Sequence, residues 1–361
     1  MGDSLNYNLP EVGKAHFPEI DFLKSVAIIS VIFVHTVPYD MHVKVLSPFH
    51  LNQQVPIFFI LMGITSCFYF KKLQSNRIAI FSKTYFLNRF ERIIVPFLFV
   101  FAISLWWGIH HNKCDIGFMT AIGKLPVSGP GNYFITDLLQ FILIAPFLYK
   151  MKSKSPRLML ATSFTLDFIF QLVSPFITVF DKYPYLYSGC ILRYLSAIAL
   201  GYYVGDEYMQ TNRIVLWSNR NRFILLWLPI SMVYLSVSIF MRQPFPYFKE
   251  SWGHQNIISN AYALVLVIML VNNYHLFGSN IIARGMVVIG KGSYHIFLAQ
   301  ILFFSFKLSF ERYVNKSNLV TGLLLALLGN LVVTILCGLL FWQGEKYLKK
   351  LFIHLRQSGG T

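Results

Sequence analysis

Apolar side chains fill long segments of this chain, and short polar segments separate them. A helix that crosses the hydrocarbon core of a bilayer needs roughly 20 mainly apolar residues. This requirement predicts an all-α, polytopic membrane protein with about ten transmembrane helices. The predicted spans are residues 20–38, 55–71, 93–110, 132–149, 157–175, 187–205, 222–241, 257–276, 286–306 and 320–343.

The distribution of basic residues predicts the orientation of these spans. Cytoplasmic loops of membrane proteins retain an excess of Lys and Arg. Of the 31 Lys and Arg residues, 21 fall at the termini and in the even-numbered loops, against 9 in the other loops. An even number of spans places both termini on one side. We therefore expect cytoplasmic tails at 1–19 and 345–361, on either side of one membrane domain at 20–344.

Composition favours the same class of protein. Hydrophobic residues make up 55% of the chain and charged residues only 13%, against about 25% charged in soluble proteins. The formal charge of +16 does not indicate a nucleic-acid partner, because the basic residues lie in short clusters between apolar segments. The four cysteines are far apart, so we expect no disulfide framework and no metal site. The first twenty residues lack an apolar core, so we expect no cleavable signal peptide.

The first predicted span carries three ionisable residues, Asp21, Lys24 and His35. Such groups are costly inside a membrane, so each is a candidate for function unless it is paired or reaches the interface. Asp21 and Lys24 are three residues apart and can form a local ion pair. His35 lies roughly 16 Å further along nearly the same helix face. It is either a packed residue at the helix end or, if buried and neutral, a general base.

A basic segment precedes the third span and contains Arg89 and Arg92. Two guanidinium groups at this spacing can clamp a polyanion such as a pyrophosphate through charge-assisted hydrogen bonds. The alternative is that they mark only the cytoplasmic side of the membrane. Deeper in the chain, Asp167 and Arg193 fall on the fifth and sixth spans. We expect a structural ion pair if they meet, and otherwise that one of them lines a substrate path.

Two further segments combine apolar residues with residues of special geometry or polarity. In the second span, Pro56 and Gly63 predict either a bend or a close approach by another helix. The ninth span opens with Gly290 to Gln300, which contains Ser293, Tyr294 and His295; His295 is read as a packed or interfacial residue. No nucleophile elbow, P-loop or HExxH motif is present, so hydrolase, nucleotidase and metalloprotease functions have no support.

Together these segments resemble the acyltransferase-3 family of integral membrane acyltransferases, which includes O-antigen, capsule and peptidoglycan O-acetyltransferases. The resemblance extends from about residue 18 to about residue 345. The matching elements are the Asp21, Lys24 and His35 helix, the segment Val55 to Gly63, the Arg89, Arg92 and Pro96 element, the apolar segment closing at Pro146, and the segment Gly290 to Gln300.

The chain departs from the family pattern at four positions. Lys24 stands where Arg is usual, Met62 where Ser is usual, Tyr133 where Trp is common, and Gln300 where a late His often stands. Lys keeps the charge but gives up bidentate hydrogen bonding, which weakens a phosphate-binding role for Lys24.

The resemblance implies a location in the bacterial inner membrane and an acyl-CoA donor, for which we expect acetyl-CoA. Arg89 and Arg92, with Lys24, would bind the nucleotide end of the donor. His35 would act as general base on a hydroxyl of a surface polysaccharide or lipid-linked glycan. Asp21, Asp167, Arg193, Ser293 and Tyr294 are candidates to line the substrate path.

Two non-catalytic functions are alternatives. A polysaccharide exporter or flippase component would need a continuous polar path through the membrane, and the chain has few interior charges. A membrane anchor or scaffold for glycan assembly would explain the hydrophobicity but not the basic pair. The sequence leaves open the acceptor sugar, the acyl chain and the oligomeric state.

Overall fold

The computed structural model describes residues 17–240, 255–310 and 319–358, and this part of the chain consists of helices joined by turns and loops, without strands. The prediction of an all-α protein is thereby confirmed. Most of the expected tail at 1–19 lies outside the described residues. The helices are α1 Pro18–Thr36, α2 Tyr39–Lys44, α3 Gln54–Ser75, α4 Lys83–Arg89, α5 Val95–His110, α6 Phe118–Ala121, α7 Tyr133–Lys154, α8 Pro156–Val173, α9 Thr178–Lys182, α10 Pro184–Ser188, α11 Leu195–Thr211, α12 Arg222–Phe240, α13 Asn260–Asn273, α14 Ile281–Lys291, α15 Ser293–Ser305 and α16 Leu319–Ser358.

Six helical segments of the described chain are long and apolar enough to cross a membrane, and the bent pair α14–α15 would make a seventh. Each of the ten predicted spans overlaps a helix, but α1 carries three charged residues near its start and α11 has only 17 residues. The number ten therefore stays a prediction. The six segments are Leu51–Ser75, Lys83–His110, Tyr133–Lys154, Pro156–Phe176, Arg222–Ile239 and Val320–Leu351.

The predicted ninth span is two helices that meet at Gly292 with a bend of 72°. The bend arises because the two halves pack on different partners, α14 on α1 and α15 on α16. At the C-terminal end, α16 continues beyond the expected boundary at 345 as far as Ser358. Glu345 and Lys349, one turn apart and 2.5 Å from each other, support this extension.

The helices differ in how much of their surface the chain itself covers. Within their most apolar stretches α3 has 72% of its residues buried, whereas α5, α8, α12 and α16 have 22–33%. The second group therefore presents apolar side chains outward, as helices in contact with lipid do. Helices α1, α3 and α11 form the centre of the bundle.

Helices α3 and α11 cross with their backbones in contact at Gly63 and Gly201. A Cβ atom on Gly201 would lie 2.0 Å from the carbonyl oxygen of Ile60, and one on Gly63 would lie 2.2 Å from that of Ile198. Small residues at such crossings let membrane helices pack through backbone contacts. Of the two arrangements predicted for Gly63, the structure has the close approach.

Helix α7 passes through Pro146 without ending. Proline has no N–H, so the carbonyl oxygen of Ile142, four residues earlier, loses its usual donor. The hydroxyl of Tyr85 donates to that oxygen at 2.9 Å, and the hydroxyl of Tyr202 donates to the carbonyl oxygen of Ala145 at 3.1 Å. The side chain from α4 thus replaces the hydrogen bond that the proline removes, and the one from α11 adds a further bond beside it.

One end of the bundle, here called the basic end, is where α1 begins and where α3, α7 and α11 end. There the carboxylate of Asp206 lies 2.7 Å from the ammonium groups of both Lys71 and Lys152. The hydroxyl of Tyr208 donates to Glu19 at 2.6 Å, which ties the end of α11 to the start of α1. Ion pairs and hydrogen bonds of this kind offset the cost of keeping charged groups near the apolar bundle.

We expect Tyr85→Phe to destabilise the protein by about 1–3 kcal/mol, because it leaves the buried carbonyl oxygen of Ile142 without a donor. Adding Pro146→Ala should recover most of the loss, since Ala restores the backbone N–H. Thermal unfolding in detergent measures both variants, with Tyr347→Phe at an exposed site as control. Equal melting temperatures for Tyr85→Phe and Tyr347→Phe would contradict this role.

Candidate active site

A cavity of about 620 Å³ lies between α1, α3, α7 and α15. Its volume falls in the usual range of small-molecule sites. Its walls are mostly apolar, and its polar groups are concentrated at the two ends, as in many binding sites. The polar and ionisable lining residues are Lys24, His35, His42, Asn52, Gln54, Thr65, Tyr133, Gln255, Ser293 and Tyr294.

His35 lies in the last turn of α1, at the end of the cavity remote from the basic end. Its ring packs edge-on against Phe304, with 6.0 Å between centroids. The ring nitrogens make no hydrogen bond within the described part of the chain, and the side chain is partly exposed. The imidazole is therefore accessible to a molecule that occupies the cavity.

A loop between α6 and α7 covers His35 at Gly131. Gly131 has φ +82°, which favours glycine, and a Cβ atom there would lie 3.7 Å from His35 Nε2. The loop is held by Asn132, whose side chain accepts from the Leu125 N–H at 2.8 Å and donates to the carbonyl oxygen of Gly123 at 3.2 Å. Gly131 thus leaves space beside Nε2 that any other residue would reduce.

The other end of the cavity contains Lys24, Ser293 and Tyr294. Lys24 and Asp21 form the expected ion pair, with 3.0 Å between Nζ and Oδ1. Helix α14 approaches α1 here through Gly290, where a Cβ atom would lie 1.7 Å from the carbonyl oxygen of Asp21. The cavity follows α1 from Lys24 to His35, a rise of roughly 16 Å.

Arg89 and Arg92 lie at the basic end but do not line the cavity. Arg92 is exposed and belongs to a π-helical segment, Phe90–Ile94, between α4 and α5. Insertions of this type recur at functional sites. Arg92 adjoins Ile93, whose carbonyl oxygen bonds to Tyr294 at the Lys24 end of the cavity. The Arg89 guanidinium instead packs over the ring of Tyr69, 4.8 Å from its centroid.

Tyr294 joins this basic segment to the cavity. Its hydroxyl donates to the carbonyl oxygen of Ile93 at 2.7 Å, next to Arg92 in the π-helical segment. The neighbouring His295 does not line the cavity and instead hydrogen-bonds to Glu345. Gln300, on the same helix, is fully buried. Of the segment from Gly290 to Gln300, only Ser293, Tyr294 and Phe297 face the cavity.

The predicted ion pair between Asp167 and Arg193 is absent. The Asp167 carboxylate accepts hydrogen bonds from the backbone N–H and hydroxyl of Ser196, the former at 3.2 Å, and from the amide of Gln171. It therefore caps the N-terminus of α11, where a negative charge is favourable. The Arg193 guanidinium packs over Tyr187 at 4.7 Å. Neither Asp167 nor Arg193 lines the cavity, and their place on a substrate path stays a prediction.

Three residues near His35 were missed by the reasoning from sequence, namely His42, Asn52 and Gln255. His42 Nδ1 lies 2.9 Å from the hydroxyl of Ser47, and its Nε2 lies 3.1 Å from the carbonyl oxygen of Val37. The amide of Gln255 donates to the carbonyl oxygen of Asn52 at 2.9 Å. These residues lie in short helical or turn segments outside the predicted spans, so no periodic pattern marks them.

Fold and cavity together define an all-α membrane protein in which ionisable groups converge on an internal site. The chain matches the family model for an acyltransferase domain over residues 17–342. It therefore belongs to the acyltransferase-3 family, as the resemblance indicated, and it is a membrane acyltransferase by family. No curated protein and no solved structure matches the chain significantly.

We expect Gly131→Ala to reduce the reactivity of His35 toward diethyl pyrocarbonate, because the added methyl group would pack beside Nε2. The left-handed backbone at this position should also cost about 1–2 kcal/mol of stability. Peptide mass spectrometry measures carbethoxylation of His35 specifically. Gly117→Ala is the control, since a Cβ atom there has no neighbour within 4 Å. Equal modification of His35 in both variants would show that the loop does not cover the ring.

Proposed function

We propose that this protein transfers an acyl group, in the simplest case acetyl, from cytoplasmic acyl-CoA to a hydroxyl of a surface polysaccharide or lipid-linked glycan. The observation that carries the proposal is one continuous cavity along α1, with Lys24 at one end and His35 at the other. A site with cationic groups at one end and an imidazole at the other suits a reaction in which donor and acceptor arrive from opposite sides.

The proposed orientation places the basic end in the cytoplasm of a bacterial inner-membrane protein, with both termini on that side. Support comes from the excess of Lys and Arg in the segments that lie at this end, which include Lys71, Lys152 and Arg92. Acyl-CoA is made in the cytoplasm and carries several phosphate charges, so it would meet these cations first. Arg92 and Lys24, both at the basic end, would bind its nucleotide and phosphate groups.

The thioester arm would then extend along α1 toward His35. There the imidazole would take the proton of the acceptor hydroxyl while the oxygen bonds to the thioester carbonyl carbon. The carbon–sulfur bond then breaks, the acyl group stays on the acceptor oxygen, and CoA leaves as a thiolate that takes up a proton. The side-chain amide of Asn52, at the same end, is suited to hydrogen-bond a hydroxyl of a sugar.

Two routes are compatible with this arrangement. Direct attack in a ternary complex and a transient acyl-enzyme differ in kinetics, because only the second gives ping-pong behaviour. A polysaccharide exporter with the same fold would consume no acyl-CoA. Release of free CoA by the purified protein, dependent on a glycan acceptor, therefore separates the proposed enzyme from an exporter or a scaffold.

We expect His35→Ala to reduce acyl transfer by about 10²- to 10⁴-fold, because the variant lacks the general base. Binding of acyl-CoA should stay close to wild type, since the imidazole acts on the acceptor. Transfer is measured as acylated glycan by mass spectrometry, and binding by titration calorimetry. His110→Ala, at the exposed end of α5, is the matched control. Transfer near the wild-type rate in His35→Ala would refute the assignment of His35.

We expect Arg92→Ala to weaken acyl-CoA binding by roughly 10- to 150-fold, which corresponds to one lost charge-assisted contact of about 1.5–3 kcal/mol. Because Arg92 is exposed, its loss should leave the melting temperature unchanged. Arg89→Ala should reduce both affinity and stability, since it also removes the contact with Tyr69. Calorimetry and thermal unfolding distinguish the two effects.

Lys83→Ala, an exposed cation in the same basic segment, serves as the control for the loss of charge alone. If the Arg89 and Arg92 double variant binds acyl-CoA as tightly as Lys83→Ala, the arginines serve only to orient the protein in the membrane. Reduced transfer with unchanged binding would equally remove them from the donor site.

A further inference from the structure

A second cavity, of about 990 Å³, opens at the basic end, apart from the first. It lies where α7 leads into α8 and where the loop after α11 leads into α12. We call it the lateral cavity. Its lining residues are Lys154, Ser155, Pro156, Arg157, Leu160, Ala161, Phe164, Tyr203, Asp206, Asn219, Arg220 and Phe223.

Three cations lie around the mouth of the lateral cavity. Arg220 is held in place, because it donates to the carbonyl oxygen of Tyr203 at 2.9 Å and its guanidinium packs 4.5 Å from the centroid of that ring. Lys154 and Arg157 are exposed and form no ion pair with the described part of the chain. Two cations without partners beside a fixed third make a site for an anion.

The one carboxylate among the lining residues does not cancel this charge. Asp206 is already bound by Lys71 and Lys152, each at 2.7 Å. Arg220 also lies 3.8 Å from Glu207, at the long limit of an ion pair, and Glu207 accepts hydrogen bonds from Asn221 and from the Val215 N–H. The lateral cavity therefore has a positive potential at its mouth.

Away from the cations the cavity wall is apolar. Leu160, Ala161 and Phe164 continue along α8, and Phe164 packs against Trp227 of α12 with 5.3 Å between ring centroids. Phe164 is seven residues beyond Arg157, so the apolar wall extends roughly 10 Å from the basic end along the helix. Helices α8 and α12 both bury only about a third of their apolar stretches or less. The cavity thus lies between helices that present apolar side chains outward.

We propose that the lateral cavity binds an anionic phospholipid from the surrounding leaflet. Lys154, Arg157 and Arg220 hold the phosphate, and an acyl chain lies along Leu160, Ala161 and Phe164. A soluble anion would satisfy the cations but not the apolar wall, whereas a lipid satisfies both. Basic pockets between membrane helices bind anionic headgroups by this combination. The proposal does not depend on the acyl-transfer function.

The lipid joins the start of α8 to the start of α12, so its binding should raise the melting temperature. The test uses the full chain in neutral detergent, with dioleoylphosphatidylglycerol or dioleoylphosphatidylcholine added and bound lipid counted by native mass spectrometry. We expect phosphatidylglycerol to bind and stabilise more strongly than phosphatidylcholine. The double variant Lys154→Gln and Arg157→Gln should bind phosphatidylglycerol about tenfold more weakly or worse.

The matched control is Lys150→Gln with Arg222→Gln, which removes the same charge at the same end from exposed residues that do not line the cavity. Its affinity for phosphatidylglycerol should equal that of wild type. Ala161→Trp, which fills the apolar wall without changing charge, should also weaken lipid binding.

Two results would overturn the proposal. Equal binding of phosphatidylglycerol by the Lys154 and Arg157 double variant and by the control pair would show that the cavity is not the site. Stabilisation by glycerol 3-phosphate equal to that by phosphatidylglycerol, together with no effect of Ala161→Trp, would show a site for soluble anions.

Discussion

Helix α1 is held at both ends by polar contacts with other helices, and the shape of the cavity depends on this restraint. At its start, Glu19 accepts a hydrogen bond from Tyr208 of α11, and α14 packs through Gly290 against the backbone at Asp21. At its end, the Thr36 hydroxyl accepts from the amide of Asn330 on α16 at 2.9 Å. Contacts at both ends fix the position of α1 along its axis and its rotation about that axis. As a result, Lys24 and His35 face the same cavity.

The same restraint explains how an apolar bundle accommodates so many polar groups. An unsatisfied polar group costs several kcal/mol in a membrane, so its hydrogen bonds must come from within the protein. Tyr85 supplies one to the carbonyl oxygen that Pro146 deprives of its donor, and Asp167 satisfies the first turn of α11. The imidazole of His35 also lacks a hydrogen bond to the described residues, and it differs from the buried groups in facing the cavity. An imidazole that a bound molecule can reach is a candidate general base.

The two cavities share the basic end but differ in chemistry. The first is internal and leads from Lys24 to a histidine, which suits a reaction between two substrates. The lateral cavity is lined by cations and apolar side chains of peripheral helices, and it contains no histidine or other clear general base. In the two proposals, one basic surface would bind a soluble anionic donor at its centre and an anionic lipid at its edge, because the surrounding helices differ in their exposure.

Features that depend on neighbouring residues could be predicted from the amino-acid sequence. The apolar segments predicted the helices, and the three-residue spacing of Asp21 and Lys24 predicted their ion pair, because helix geometry fixes such contacts locally. The eleven-residue spacing of Lys24 and His35 also predicted that both lie on nearly the same face of one helix. The order of the motifs indicated the acyltransferase-3 family.

Contacts between distant residues depend on how the helices pack and could not be predicted in this way. Asp167 bonds to Ser196 and not to Arg193. The relative rotation of α8 and α11 determines this choice, and it cannot be read from the spacing of residues along the sequence. Gly131 lies next to His35, although about a hundred residues separate them in the sequence. The bend at Gly292 has the same origin, because periodicity reports that a segment is helical but not which neighbours its two halves pack against.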